Sequence, residues 1–334
     1  MGKRKKILWA AGVAAVTGLF AAEMLTGSAG ISAGDVWKAL SGGSVPEQVR
    51  LIVTEIRLPK ALTALLSGMA ISVSGLLMQT LFRNPLAGPY VLGISSGASL
   101  GASVCVLGTS ASAALAGSQV LMSLGTAGAA WLGAAAVLGI IAMAGRRIGD
   151  ITVILILGMM LGAGIDAVVQ ILQFLSDEQA LKSYIIWTMG SMGSVSGPEL
   201  WILAAATAAG TAVTAVSCKS LNLLLLGEGY AASMGADIGR IRSLIFLAVV
   251  LLAGTVTAFC GPVGFLGLAV PHVARLASGN ADHRVLIPVT LLCGGALMMS
   301  CDIIARLAAV PINAIASLVG IPVIIWIILR NHRI

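Results

Sequence analysis

The chain is 334 residues long, with 58% hydrophobic residues and only 10% charged residues, whereas charges make up about a quarter of an ordinary soluble domain. With a mean hydropathy of +1.02, these values exclude a water-soluble globular protein and predict one all-α membrane domain over residues 1–334. The net charge of +7 does not indicate nucleic-acid binding, because Lys and Arg cluster at the ends of apolar runs.

The chain begins with a basic cluster, Lys3-Arg4-Lys5-Lys6, followed by an apolar run over 7–25. That run is long for the core of a signal peptide. We therefore expect a retained first span with its basic end in the cytoplasm.

Nine further apolar runs follow the first, which predicts about ten transmembrane helices. The eighth is short and contains Pro271. An even number puts both termini on one side, and most of the 20 Lys and Arg residues then fall on the cytoplasmic side, as the positive-inside rule requires. The nine runs are 61–82, 92–108, 120–144, 151–172, 199–217, 243–261, 263–277, 286–305 and 312–329.

The connection between the second and third spans reads Arg83-Asn84-Pro85-Leu86-Ala87-Gly88-Pro89. Each proline removes a backbone donor, so this loop must lie in water or be buried in protein.

The third span begins with Gly93-Ile94-Ser95-Ser96-Gly97, which matches the nucleophile pattern of serine hydrolases. That site needs a strand, a turn and a helix, whereas this one opens an apolar helix. Close helix packing through Gly93, Gly97 and Gly101 explains the glycines better.

The fifth span carries Asp166, Gln170 and Gln173 on one helical face. A carboxylate at membrane depth is costly unless it faces water or a partner. The pattern favours a polar stripe along a translocation path over a structural hydrogen-bond cluster, and Gly158 and Gly162 would let a neighbouring helix approach.

Two further patterns are informative. Residues 218–242 form a cytoplasmic loop that glycines break into two short apolar helical pieces, and such a surface is expected to be covered by another protein. Near the outer end of the ninth span, Asp302 and Arg306 lie one turn apart and predict an intrahelical ion pair.

Several motifs together resemble the FecCD or BtuC-like permeases of bacterial ABC importers for iron chelates, heme and vitamin B12. The resemblance runs from about the second span to the end. The matching segments are Arg57-Leu-Pro59-Lys60, Ser74-Gly75-x-x-Met78-Gln79, Arg83-Asn84-Pro85-Leu86-Ala87-x-Pro89, Leu92-Gly93-x-x-x-Gly97-Ala98, Leu221-Asn222, Gly227-Glu228, Gly264-Phe265-x-Gly267-Leu268-x-x-Pro271-His272-x-x-Arg275, Asp282-His283-Arg284-x-Leu286-x-Pro288, Asp302-Ile-x-Ala305-Arg306 and Gly320-x-Pro322-Val323-x-x-Trp326.

The resemblance implies a homodimer of ten-helix subunits, with an inverted internal repeat, in the lipid of the bacterial inner membrane. Two ATP-binding subunits would bind on the cytoplasmic side and a periplasmic substrate-binding protein above. ATP and Mg²⁺ would bind the partner ATPase, so the chain itself would be no enzyme and would hold no cofactor or metal. The ATPase contact would lie on residues 218–242, hereafter the coupling loop, at Leu223, Gly227, Glu228, Ala231, Met234, Gly235 and Asp237.

The resemblance also implies the roles of three other residue groups. The outer cations Arg57, Lys60 and Arg306 would dock the binding protein, although Lys60 replaces the usual Arg and loses its bidentate pairing. The fifth span would line the pathway through Asp166, Gln170 and Gly162. A cytoplasmic gate would comprise two segments, the first with Asn84 and Leu86 and the second with Ile151 and Thr152.

The substrate expected first is a ferric siderophore, followed by heme and vitamin B12. The alternative class is an ion-coupled secondary transporter in which Asp166 is the coupling site. An embedded hydrolase acting through Ser95 ranks third.

Overall fold

The computed structural model of the chain describes residues 3–27, 29–108, 119–195 and 197–331, and His332 and Arg333 lie outside these ranges. Within them the regular elements are helical. Pi-helical turns at Ile52–Arg57 and Val250–Gly254 join helices into longer runs, and a 3-10 turn lies at Pro89–Leu92. The α-helices are α1 Lys3–Leu25, α2 Ala33–Ser41, α3 Glu47–Leu51, α4 Leu58–Leu81, α5 Ile94–Leu107, α6 Gln119–Gly145, α7 Ile151–Leu175, α8 Glu178–Met189, α9 Pro198–Val216, α10 Cys218–Leu224, α11 Glu228–Ser233, α12 Ile238–Val249, α13 Thr255–Cys260, α14 Leu266–Ser278, α15 His283–Ala308 and α16 Ile312–Asn331.

Each predicted span coincides with a helix, which confirms the all-α membrane fold. Among the described residues, seven helical runs are long and apolar enough to cross a bilayer, and two shorter apolar helices lie at Ile94–Leu107 and Ile312–Trp326. The predicted eighth span falls on α14, whose 13 residues are fewer than the roughly 20 that a span needs. The seven long runs are Ile7–Leu25, Glu47–Leu81, Gly125–Gly145, Ile151–Leu175, Pro198–Val216, Ile238–Cys260 and His283–Ala308.

Helix α4 forms the centre of the molecule and packs against α15, α14 and α9. Its contacts depend on glycines that leave room for a neighbouring backbone. Gly75 lies against the backbone of Gly267 in α14, and Gly68 faces the carbonyl of Gly294 in α15, so that a methyl group at either position would collide. Such close approach supplies the van der Waals contact that holds helices together in lipid.

A similar contact joins α5 to α6. Gly97 faces the backbone of Gly133, and Gly101 faces the carbonyl of Ala129. Gly93 precedes the helix with a φ of +74° and lies against Gly162 of α7. The glycines therefore serve packing, as the sequence predicts. Ser95 lies inside α5 after a 3-10 turn, so the strand-turn-helix geometry of a hydrolase nucleophile is not formed here.

The polar connections gather at two opposite ends of the helix bundle. At one, hereafter the Asn84 end, the loop around Pro85 contacts α14, and the residues around Gly149 contact α12. At the other, hereafter the Arg57 end, α1 meets Arg57 of the first π-helical turn and the last turn of α15. The predicted inside loops thus lie together at the Asn84 end.

Candidate functional site

The coupling loop consists of two short helices, α10 and α11, separated by Gly227. Gly227 has a φ of +107° and Gly235 a φ of +82°, conformations that glycine adopts without steric cost. The glycines therefore break this segment as predicted. Helix α12 then starts at Ile238, capped by Asp237, whose carboxylate accepts a 3.0 Å hydrogen bond from the backbone N–H of Arg240.

The seven predicted coupling residues differ in exposure. Met234, Gly235 and Asp237 are exposed, whereas Leu223 and Glu228 are half-buried. Gly227 and Ala231 are buried, which fits a role in shaping the loop. Three neighbouring apolar side chains also face outward, those of Leu226, Tyr230 and Met234. Exposed apolar side chains so close together in the sequence, on a connection between two spans, are typical of a protein interface.

Glu228 makes the strongest contact of the coupling loop. Its carboxylate accepts two hydrogen bonds from the buried Arg242, at 3.0 Å from Nε and 2.7 Å from Nη2. The remaining guanidinium N–H groups reach the carbonyl oxygens of Gly145, Ile148 and Gly149. One side chain thus joins α11 to the connection between α6 and α7.

The first predicted gate segment is a tight turn at the end of α4. Asn84 Oδ1 accepts a 2.9 Å hydrogen bond from the backbone N–H of Leu86, and Leu86 is exposed. His272 Nε2 lies 2.9 Å from the Pro85 carbonyl oxygen, so α14 holds the turn in place.

The second predicted gate segment is the first turn of α7. Asp150 caps this helix by accepting a 2.8 Å hydrogen bond from the backbone N–H of Thr152. Ile151 is half-buried and Thr152 is exposed. The two predicted gate segments therefore lie after the end of α4 and at the start of α7, and each is fixed by a local side-chain-to-backbone hydrogen bond.

The predicted pathway residues lie on α7, and their exposure differs. Asp166 and Gln170 are exposed, and Gly162 is buried against Gly93. Asp166 borders a cavity of about 260 Å³ that Tyr90, Gly93 and Ser96 also line. The same helix exposes large apolar side chains along its length, at Ile156, Met159, Met160, Val168, Ile171 and Phe174.

The three predicted docking cations share one cavity of about 510 Å³ at the Arg57 end. Lys60 and Arg306 are partly exposed, at 24% and 20% of their side chains, and both pair with Asp302, at 3.2 and 2.7 Å. Arg57 is only 5% exposed. Its guanidinium donates to the carbonyl oxygens of Met24 at 2.8 Å and Ala29 at 2.6 Å.

The expected Asp302–Arg306 ion pair is formed, but Arg306 has a second acidic partner, in α1, that the sequence did not predict. Glu23, 1% exposed, also pairs with Arg306. The one feature of the sequence that indicates this pair is the carboxylate of Glu23 near the end of an apolar span, where a buried acid requires a partner. The sequence did not identify Arg242 as a site residue, because Arg is common at the start of a transmembrane span.

The described chain is similar to proteins of one transport family. A profile of the FecCD transport family matches residues 14–330. The vitamin B12 import system permease protein of Klebsiella pneumoniae is 35% identical over 306 residues, which cover 90% of this chain and 89% of that protein. The hemin transport system permease protein of Yersinia pestis is 35% identical over 284 residues, or 83% of each chain.

Two solved structures share the fold. One, described as an inward-facing conformation of a metal-chelate type ABC transporter, has a TM-score of 0.84 and 25% identity over 97% of this chain and 99% of that chain. The other, the Streptococcus pneumoniae PsaBC complex, has a TM-score of 0.54 and 15% identity over 86% of this chain and 93% of that chain. The latter likeness is one of fold alone.

Proposed function

This chain belongs to the FecCD transport family, and we propose that two copies of it form the membrane pathway of an importer for ferric siderophores. It is the permease subunit of an ABC importer, and its relatives are transport subunits and not enzymes. The family match over residues 14–330 is the observation that carries the proposal.

The substrate class follows from the relatives and from the chemistry of α7. The relatives are described as moving vitamin B12, hemin and a metal chelate, all large metal-bearing molecules. Helix α7 contains a carboxylate, two amides and a single aromatic side chain, that of Phe174 in its last turn. That composition favours a polar chelate over a flat macrocycle, which would bind by stacking on aromatic rings.

The exposed face of α7 supports the homodimer. Asp166 and Gln170 lie outward in the single subunit, and a carboxylate facing hydrocarbon is costly. A second copy that covers this face would enclose Asp166 and Gln170 in a water-filled pathway at the dimer centre.

The two ends of the bundle fit two different partners. Leu226, Tyr230 and Met234 present an apolar patch on the coupling loop, which suits a contact with two ATP-binding subunits. ATP and Mg²⁺ would bind those subunits. At the Arg57 end, the partly exposed Lys60 and Arg306 suit acidic groups of a periplasmic binding protein.

These contacts give a mechanism and an orientation. The Asn84 end and both termini would face the cytoplasm of the bacterial inner membrane. ATP binding would draw the ATPase subunits together and displace the coupling loop, and the α7 helices and the gate at Asn84, Leu86, Ile151 and Thr152 would then rearrange. Substrate released by the binding protein would enter from the Arg57 end and leave at the Asn84 end.

Reconstitution tests the proposal. The permease and its ATPase subunits are placed in proteoliposomes, and uptake of a labelled ferric siderophore is measured with its binding protein outside and ATP inside. We expect uptake to require both ATP and binding protein. It should be abolished when the ATPase subunits carry a substitution that prevents ATP hydrolysis. Hemin and vitamin B12, each with its own binding protein, are the comparison substrates.

Two results would contradict the proposal. Uptake of hemin or vitamin B12 but not of the siderophore would overturn the substrate assignment. Uptake driven by an ion gradient without the ATPase would instead favour the secondary transporter with Asp166 as its coupling site.

A further inference from the structure

We propose that each short helix of the coupling loop is tied to a different gate segment by its own polar side-chain link. Glu228 of α11 reaches the start of α7 through Arg242, and Asn222 of α10 reaches the end of α4 through His283. The inference rests on the proposed function, and it assigns positioning roles to Arg242, Asn222 and His283.

The first link uses the full hydrogen-bonding capacity of one guanidinium. Arg242 has five N–H groups, and five acceptor contacts surround it. Two are the oxygens of Glu228, at 3.0 and 2.7 Å. The other three are the carbonyl oxygens of Gly145 at 3.3 Å, Ile148 at 3.1 Å and Gly149 at 2.8 Å.

This geometry transmits displacement because it is rigid and buried. Arg242 is 6% exposed, so water cannot readily replace a lost partner. Its three carbonyl contacts lie between the end of α6 and Asp150, the cap of α7. A shift of α11 must therefore move this connection with it or break a bidentate ion pair. Ile151 and Thr152, the second gate segment, come directly after Asp150 in the chain and would move with it.

The second link joins α10 to α4 through the N-terminus of α15. Asn222 donates from Nδ2 to Asp282 at 2.7 Å, and its Oδ1 accepts from the backbone N–H of His283 at 3.0 Å. The same Oδ1 lies 2.7 Å from His283 Nδ1. Because an amide oxygen only accepts, Nδ1 carries the proton. Nε2 lies 2.9 Å from Thr80 Oγ1, whose single proton is shared between Nε2 and the Leu76 carbonyl oxygen.

Thr80 lies in the last turn of α4, four residues before Asn84. His283 is 1% exposed, so this link too is shielded from water. A neighbouring contact stiffens the same turn, since Gln79 accepts a 2.5 Å hydrogen bond from Arg275 and donates to the Leu268 carbonyl at 3.1 Å. Displacement of α10 is thereby passed to the first gate segment.

Two separate links explain how one loop could move both sides of the gate together. Each link connects a different short helix to a different gate segment, and the links share no residue. Loss of one link should uncouple one gate segment while the coupling surface, formed by Leu226, Tyr230 and Met234, stays available to the ATPase.

The test compares transport with ATP hydrolysis in the reconstituted complex. Arg242→Lys keeps the charge but loses the planar fork, and Asn222→Ala removes both amide contacts. We expect either variant to lower the substrate imported per ATP hydrolysed by about tenfold, with unchanged co-purification of the ATPase. The matched controls are Arg240→Lys on α12 and Ser220→Ala on α10, which should behave as wild type.

A second measurement separates positioning from mere stability. Spin labels at Thr152 and at Ser233, an exposed residue of α11 outside the predicted ATPase contacts, report the distance between the second gate segment and the coupling loop. In the wild type we expect that distance to stay constant between nucleotide-free and ATP-bound states, and in Arg242→Lys to change. An unchanged import-to-ATP ratio in both link variants, or a label distance that is the same in wild type and Arg242→Lys, would overturn the inference. Failure of the wild type to import with ATP would instead reject the proposed function.

Discussion

Glu23 and Arg306 form an ion pair although 283 residues separate them in the sequence. The pair joins α1 to the last turn of α15, and Arg306 also donates to the Thr26 carbonyl at 2.7 Å. Arg57 holds the same end of α1 through Met24. Two of the three predicted docking cations therefore anchor the first helix, and favourable placement of cations at a helix C-terminus contributes to that anchoring.

Replacement of Glu23 should loosen α1. Glu23→Gln removes one charge of a buried pair but leaves Asp302 beside Arg306, so we expect a loss of about 1–2 kcal/mol of stability. Thermal unfolding of the purified permease in detergent measures the effect. Glu47→Gln, at an exposed acid of α3, is the control. Equal melting temperatures for the two variants would show that the Glu23 pair contributes nothing.

Lys60 offers a cleaner test of binding-protein docking than Arg57. Reversal of the buried Arg57 would place a carboxylate against carbonyl oxygens and damage the fold, whereas Lys60 is partly exposed. Lys60→Gln removes the charge without placing a second carboxylate beside Asp302. We expect it to weaken binding-protein association about tenfold and to reduce its dependence on salt, as measured by surface-immobilised binding. Lys38→Gln, at an exposed position of α2, should have no effect. Wild-type affinity in Lys60→Gln would argue against the docking assignment.

Two glycines of α6 should respond differently to the same substitution. A methyl group at Gly133 would collide with the backbone of Gly97, whereas at Gly139 nothing lies within 4 Å. We expect Gly133→Ala to destabilise the protein by about 1–3 kcal/mol and Gly139→Ala to be neutral or slightly stabilising. Melting temperatures of both variants check this, and a smaller loss for Gly133→Ala than for Gly139→Ala would contradict the α5–α6 packing.

Asp166 distinguishes an ATP-driven pathway from an ion-coupled one. In the pathway role, Asp166→Asn keeps a polar group that water can solvate, so ATP-driven uptake should persist with an altered rate. As an ion-coupling site, the loss of the charge would abolish transport. Initial uptake rates in proteoliposomes decide between them, with Gln170→Leu as a second probe of the same face. Complete loss of transport in Asp166→Asn alone would count against the pathway role.

The N-cap of α15 gives a defined pH dependence. The backbone N–H of Arg284 and the side chain of Asn222 lower the pKa of Asp282 below its ordinary value of 3.8. A lowered folded pKa adds stability that is present above the unfolded value and is lost as the pH falls through the folded value. The difference in melting temperature between wild type and Asp282→Asn should therefore be constant near neutral pH and shrink below about pH 4. A melting-temperature difference that grows as the pH falls would contradict the lowered pKa of Asp282.

The fold could be predicted because its signal is local. Apolar runs such as 151–172 and 286–305 show a helix by length alone, and each coincides with one. The length of an apolar run did not predict where its helix begins and ends. The helix that holds Arg57 and Lys60 continues back to Glu47, since a π-helical turn carries it through polar residues, and α14 is shorter than the span predicted from 263–277.

The candidate site could be predicted only in part. The Asp302–Arg306 pair could be predicted because its residues have helical spacing. Gly227 and Gly235 predicted the breaks in the coupling loop. Glu228 was expected to meet a partner subunit, but its bidentate contact is with Arg242 of the same chain. Pairs such as Glu23 with Arg306 or Asn222 with His283 leave no spacing signal, because the fold alone brings them together.

Asp166 faces outward on a helix whose other outward side chains are mostly apolar, and this has a consequence for assembly. In a single inserted subunit the carboxylate would face acyl chains, at a cost in free energy. Pairing of two copies, as proposed above, would remove that cost, so that unpaired subunits would be less stable in the membrane than paired ones. The proposed pathway carboxylate would thus also favour the formation of complete dimers.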